Sequence, residues 1–254
     1  MKALLARQLP LAVLATGALL AGSAGAASAP QRTQAGARAY SIKIVIPDQA
    51  GGGTATVSAP PDAVALGGTF SFPADGTVAS TQAVSASAST DTGVKAAGGT
   101  GTSEVDVLSL FGGEVTASRV TVRAVSAAGP DGSSGNAKGS TIEGLTILGQ
   151  PVTPAANARI PLGDWGTLVV LAQTLDQTAP SGRTSAKASV TALDIELTQA
   201  HGGLAAGSQI TVGHAEATAK AKAAPPPPPP PPPNPTPPPP PPPPPPPVNP
   251  PPST

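Results

Sequence analysis

The stretch YSIKIVI, residues 40–46, decides the fold. Tyr40, Ile42, Ile44 and Ile46 alternate with Ser41, Lys43 and Val45. That period of two puts one set on each face of a strand and leaves no apolar stripe at the helical period of 3.6. The tyrosine–isoleucine set is expected to face a core. The same alternation returns in RVTVRAV (119–125), TLVVLAQTL (167–175), SVTALDIELT (189–198) and QITVGHAEA (209–217). Turn residues separate these runs: GGG at Gly51, PADG at Pro73, GPDGSSGN at Gly129, GQP at Gly149 and PSG at Pro180. The reading is an all-β fold, an antiparallel two-sheet sandwich of small-residue strands. A β-solenoid is the alternative, disfavoured because no repeat of about 20 to 50 residues is visible.

The residues that must fill this sandwich are small. Of 254 residues, three are Phe, one is Trp and one is Tyr, while Ala, Gly, Ser, Thr and Val dominate the region between the termini. Each such side chain buries little area, so stability has to come from many backbone ladders and from close packing of sheet on sheet.

The first residues carry an address. Lys2 and Arg7 precede the apolar run LPLAVLATGALL (9–20), and Ala24-Gly25-Ala26 then forms an A-x-A site. Together these read as a signal peptide, residues 1–26, cut after Ala26. The chain is therefore expected to be secreted or at a cell surface. Loss of Lys2 and Arg7 takes the 14 basic residues to 12 against 14 acidic ones, a near-neutral balance that argues against nucleic acid and against a polybasic membrane contact. No second apolar run of about 20 residues follows, so the mature chain is expected to have no transmembrane segment. Cysteine is absent, which excludes disulfides, thiolate metal sites and a lipidated cysteine at the cut.

Two segments echo each other. GGEVTASRVTVRAVSA (112–127) aligns with GGLAAGSQITVGHAEA (202–217), and Val105-Asp106-Val107 resembles Leu193-Asp194-Ile195 with a two-residue length difference. Each reads as strand, Gly-Gly turn, strand, and an internal duplication over about 105–127 and 193–217 competes with coincidence as the explanation. Together with the signal peptide, VLSLFGGEVTASRVTVRA (107–124), GLTILGQPV (144–152) and IPLGDWGTLVV (160–170) resemble the choice-of-anchor P family of bacterial surface proteins. The resemblance implies an exported envelope protein whose carboxyl end carries the means of attachment. This chain departs from members with a recognisable anchor, because its proline run precedes neither a sorting signal nor an apolar helix.

Chemistry is sparse. His201 and His214 have no cysteine partner and read as solvated surface residues rather than metal ligands. Glu104/Asp106 and Asp194/Glu196 stand two apart, on one strand face each, and read as an outward polar surface rather than a Ca²⁺ or acid–base pair. AGGGTAT (50–56) lacks the GK[ST] of a phosphate loop and reads as a turn. PDGSSGN (130–136) lacks the ligand spacing of an EF-hand, and no GxSxG elbow is present. Trp165, in GDWGTL, is either a plug in a small-residue core or a platform on which a sugar could stack. No catalytic residue, cofactor or metal site is expected.

From residue 225 to 252 proline is interrupted only by Asn234, Thr236, Val248 and Asn249. Proline fixes φ and lacks a donor, so polyproline II, about 3.1 Å per residue, is the expected form of a semi-rigid spacer. The organisation expected is a signal peptide (1–26), a flexible linker (27–38), a β domain (39–224) and a proline-rich stalk (225–254). The function expected is a non-enzymatic envelope or surface protein, its partner a cell-wall polymer or another envelope protein. An adhesin or carbohydrate-binding module using Trp165 is the alternative.

Overall fold

Alternating sequence becomes strand along most of the described residues. The computed structural model describes residues 33–178 and 182–223. The expected signal peptide with its cut at Ala26, the turn expected at Pro180 and the expected proline-rich stalk lie outside the described residues. Strands pair antiparallel throughout, in two sheets that do not close into a barrel. The first sheet runs β14 (Ala158–Leu162), β15 (Gly166–Thr178), β16 (Arg183–Leu197), β17 (Gln209–Lys222), β1 (Gln34–Ile46) and β2 (Gln49–Gly53), with β3 (Val57–Ala59) also on β1. In the second, β8 (Ala97–Leu110) and β9 (Val115–Gly129) are central. Beyond β8 lie β7 (Ala83–Thr92) with β4 (Ala63–Gly67), and β6 (Ala79–Thr81) with β5 (Phe70–Phe72). Beyond β9 lie β10 (Gly132–Asn136), β11 (Thr141–Glu143), and β12 (Thr146–Ile147) with β13 (Gln150–Pro151). Among the described residues there is no α-helix; the one 3-10 turn is Phe111–Gly113. The fold is the all-β sandwich expected.

Three local expectations are corrected. Strand β1 begins at Gln34, so residues 34–38 of the expected linker belong to the sheet. The glycines read as a turn form β2: a Cβ on Gly51 would collide with the Ile44 carbonyl oxygen, and only glycine allows that approach to β1. Tyr40 lies on the opposite face from Ile42 and Ile44. Ser41 and Ile42 are both buried, at 1% and 0% exposure, so the alternation changes phase between them. The change is shared by neighbouring strands. Ladder pairing skips Ser41, Gly213, Ala192 and Leu171, which stand side by side across β1, β17, β16 and β15. Gly213 and Leu171 have φ of 60° and 45° there. A row of matched irregularities thus crosses the sheet and turns over the faces of all four strands together.

That row divides the core by side-chain size. On one side Ile42, Ile44, Leu168, Leu193, Ile195, Ile210 and Val212 pack on Val105, Leu108, Leu110, Val115 and Val120 of the facing sheet. On the other side the interior is largely alanine: Ala37, Ala39, Ala86, Ala88, Ala186, Ala219 and Ala221. Here backbone meets backbone. A Cβ on Gly99 would lie 2.6 Å from the Gly36 carbonyl oxygen, and one on Gly101 would lie 2.8 and 2.9 Å from those of Arg38 and Glu216. Serine and threonine hydroxyls span the gap: Ser126 Oγ donates to Ala217 O at 2.8 Å, Ser133 Oγ to Ser185 O at 2.9 Å and Thr184 Oγ1 to Gly129 O at 2.8 Å. The small-residue composition is thereby explained, because larger side chains would hold the sheets too far apart for these bonds.

The two echoing segments are hairpins, β8–β9 in one sheet and β16–β17 in the other. Val105 pairs with Val120 as Ile195 pairs with Ile210. The register therefore sets Val105 beside Ile195 rather than Leu193, with no length difference between the units. Strand β17 has 14 residues, about 45 Å at the usual rise, and sets the long axis. Residue 33 and residue 223 leave from the same pole of that axis, since Gln34 pairs with Lys220. The Phe111–Gly113 turn and the 198–208 loop close the opposite, distal pole.

Candidate functional site

The aromatic residues gather at the distal pole. Trp165 ends the Gly163–Trp165 turn between β14 and β15, where Gly163 takes a φ of 59°. Its carbonyl oxygen accepts from Thr198 N at 2.8 Å and Gln199 N at 3.2 Å, and Gln199 Nε2 donates to Asp164 O at 2.9 Å. These bonds pin the start of the 198–208 loop to the tryptophan turn. In that loop His201 and Leu204 exchange backbone bonds of 3.0 and 2.9 Å around Gly202 and Gly203, whose φ values are 55° and 86°. A Cβ on Gly202 would run into the Phe111 ring, so the turn needs glycine both for its φ and for its packing.

The geometry that results is a closed stack. His201 lies parallel to the Trp165 indole, centroids 4.0 Å apart and planes 2° apart. Phe111 sets its ring edgewise to both, at 5.1 Å from Trp165 and 5.2 Å from His201. His201 Nε2 is 2.9 Å from Glu114 Oε2, in the turn of the facing sheet. The imidazole and carboxylate therefore join the two sheets across the pole. Trp165 itself is 8% exposed, and one of its faces is covered by His201. The cluster brings an imidazole to a carboxylate but sets no hydroxyl nucleophile against the imidazole, so its visible effect is to hold two turns together.

The other sequence candidates lie apart from this cluster. His214 projects from the outer face of the first sheet, stacked on Tyr40 at 4.7 Å and 19°, with Nδ1 2.9 Å from Thr191 Oγ1. Burial pushes its imidazole below the ordinary value, and burial likewise pushes the Tyr40 hydroxyl up. Neither histidine is the solvated residue expected: His201 is sandwiched in the turn cluster and His214 is half-buried among side chains of its own sheet. Asp106 holds Arg119 at 2.8 Å, raising the arginine further above its ordinary value, and Asp194 accepts from Gln209 Nε2 at 2.7 Å. Glu104 and Glu196 are exposed. Among the described residues no group of three or more His, Asp or Glu is placed to hold a metal ion.

Sequence reasoning singled out Trp165 but missed Phe111, Glu114 and the role of His201. A signal was present. Phe111-Gly112-Gly113 and His201-Gly202-Gly203 are ring-Gly-Gly turns in corresponding positions of the two hairpins, and the sandwich brings both turns to one pole. The chain matches no protein-family model, and no curated protein or solved structure matches it.

Proposed function

We propose that the chain is an exported, non-enzymatic envelope or surface protein in which the proline-rich segment carries the β sandwich and its distal pole faces outward. The observation that carries this reading is polarity: residues 33 and 223 leave one pole, while the Phe111, Trp165, His201 and Glu114 turns close the other. A chain attached through its carboxyl-terminal segment would thus hold that segment's root inward and the aromatic pole away. The signal-peptide pattern, the proline run and the resemblance to choice-of-anchor P proteins support the same reading. So does the packing. A domain tied by inter-sheet backbone contacts and hydroxyl bridges needs no disulfide, and this sequence has no cysteine. Retention is assigned to a cell-wall polymer or another envelope protein that holds the proline-rich segment.

The absence of cysteine makes the test clean. Ala200→Cys places one thiol at the exposed distal loop, and a membrane-impermeant maleimide is applied to intact cells producing the full chain. Labelling in intact cells is expected. A thiol that reacts only after lysis would overturn export.

A further inference from the structure

Among the described residues, the most exposed large apolar side chains after Val94 are Leu66 and Val64, at 83% and 69%, and both belong to β4. Strand β4 lies at an edge of the second sheet, where its ladder partner among the described residues is β7. Strand edges are normally blunted by charge or proline, because unpaired amides and carbonyls template pairing with another chain. Three outer strands here carry such devices, Arg159 and Pro161 on β14, Glu143 on β11 and Pro151 on β13, whereas β2, β3, β5 and β10 also lack them but expose no large apolar side chain as fully as β4 does. Strand β4 reads Ala-Val-Ala-Leu-Gly and carries none. Beside it a shallow groove of about 200 Å³ opens between the sheets, lined by Ser41, Thr54, Leu66, Phe70 and Val84.

We infer that β4 is a homotypic docking edge, pairing antiparallel with β4 of a second copy. Three observations select this occupant. The strand has no charged side chain, so two copies meet without like-charge repulsion. Antiparallel pairing about Ala65 sets Val64 of each copy opposite Leu66 of the other on one face, a self-complementary contact of the kind a two-fold requires. The proline-rich segment is a poor rival, since proline has no amide hydrogen to give to a ladder. Parallel self-pairing about a two-fold along the strands would put donors level with donors, which leaves the antiparallel form.

A consequence for the whole molecule follows from where β4 sits. Ala65 pairs with Ala86, which pairs with Ser103, near the middle of β8. Two domains joined through β4 therefore lie side by side with opposite polarity, the stalk root of one beside the aromatic pole of the other. Resting on the export reading above, that arrangement joins copies borne by facing surfaces rather than neighbours on one surface. A five-residue edge falls short of the roughly 1,200 Å² that stable interfaces bury, so single contacts are weak and arrays of copies hold through multivalency.

The experiment uses the purified full chain, and so stands apart from export. Sedimentation velocity over a concentration series should show a reversible monomer–dimer equilibrium, and Val64→Lys with Leu66→Lys should move its midpoint to at least about tenfold higher concentration. Both side chains are exposed, so an unchanged thermal melt confirms that the variant is folded. Polarity is read by energy transfer: a donor on Ala200→Cys and an acceptor on Asp131→Cys of a second copy should transfer more efficiently than two labels both at Ala200→Cys. A wild type that stays monomeric throughout, a dimer indifferent to the lysines, or stronger transfer between the two distal labels would each overturn the inference.

Discussion

Replacing Gly101 by alanine adds one methyl where the sheets touch. The new Cβ would stand 2.8 Å from Arg38 O, 2.9 Å from Glu216 O and 3.3 Å from Glu216 N. All three neighbours are backbone, held by the β1–β17 ladder, so no side chain can swing aside. Relief requires strand to move from strand. Overpacking of this kind costs about 1–3 kcal/mol, offset by about 0.5–1 kcal/mol from the lower chain entropy of alanine in the unfolded state. The net loss is about 0–2.5 kcal/mol, which for a domain of this size lowers the melting temperature by up to roughly 10 °C. Gly98 supplies the control. It lies three residues earlier on the same strand with its Cβ position facing outward, and its nearest neighbour would be Ser126 O at 3.7 Å, an ordinary contact. Gly98→Ala should therefore melt at or slightly above the wild-type temperature. The assay is a thermal melt followed by circular dichroism on both variants. If Gly101→Ala melts no lower than Gly98→Ala, the sheets are not in backbone contact and the account of the alanine half fails.

Two further outcomes follow from the histidines. Burial lowers the folded-state pKa of His214 below the 6.5 of the free side chain, ahead of the opposing pull of Glu216, so the unfolded chain binds the proton more readily. Stability is thus full above about pH 7, falls as pH drops through 6.5, and levels off below the folded value; urea midpoints from pH 8 to pH 5 should show this fall, and His214→Gln should flatten it. His201→Ala uncovers a face of the sole tryptophan. Acrylamide quenching of Trp165 should rise and its emission shift to the red, with a loss of about 1 kcal/mol in stability; unchanged quenching would mean that the stack does not form in solution.

The strands were legible because period two survives in small residues: residues 40–46, 119–125 and 209–217 all lie within the strands β1, β9 and β17. What one strand cannot reveal is a change of phase imposed by its neighbours. Nothing in YSIKIVI marks Ser41, because the turnover belongs to a row completed by Gly213, Ala192 and Leu171 on other strands. Glycine was equally ambiguous. Its φ freedom suggests a turn, yet in β2 and at Gly101 it serves close approach of backbones, which sequence does not display. At the distal pole, composition identified the rare Trp165, whereas its pairing with His201 and Phe111 depends on two turns far apart in sequence meeting across the sheets.

The claim at the centre of the account is polarity: an inward root and an outward aromatic pole. Its most direct measurement compares single cysteines at the two poles, Ala200→Cys in the distal loop and Asp131→Cys in the β9–β10 turn, both exposed. Each is labelled on intact cells with maleimides of increasing size. The account predicts that large reagents reach Ala200→Cys freely and are hindered at Asp131→Cys, and that the difference disappears once the protein is released from the cell. Equal labelling of the two poles on intact cells, or easier labelling of Asp131→Cys, would contradict it.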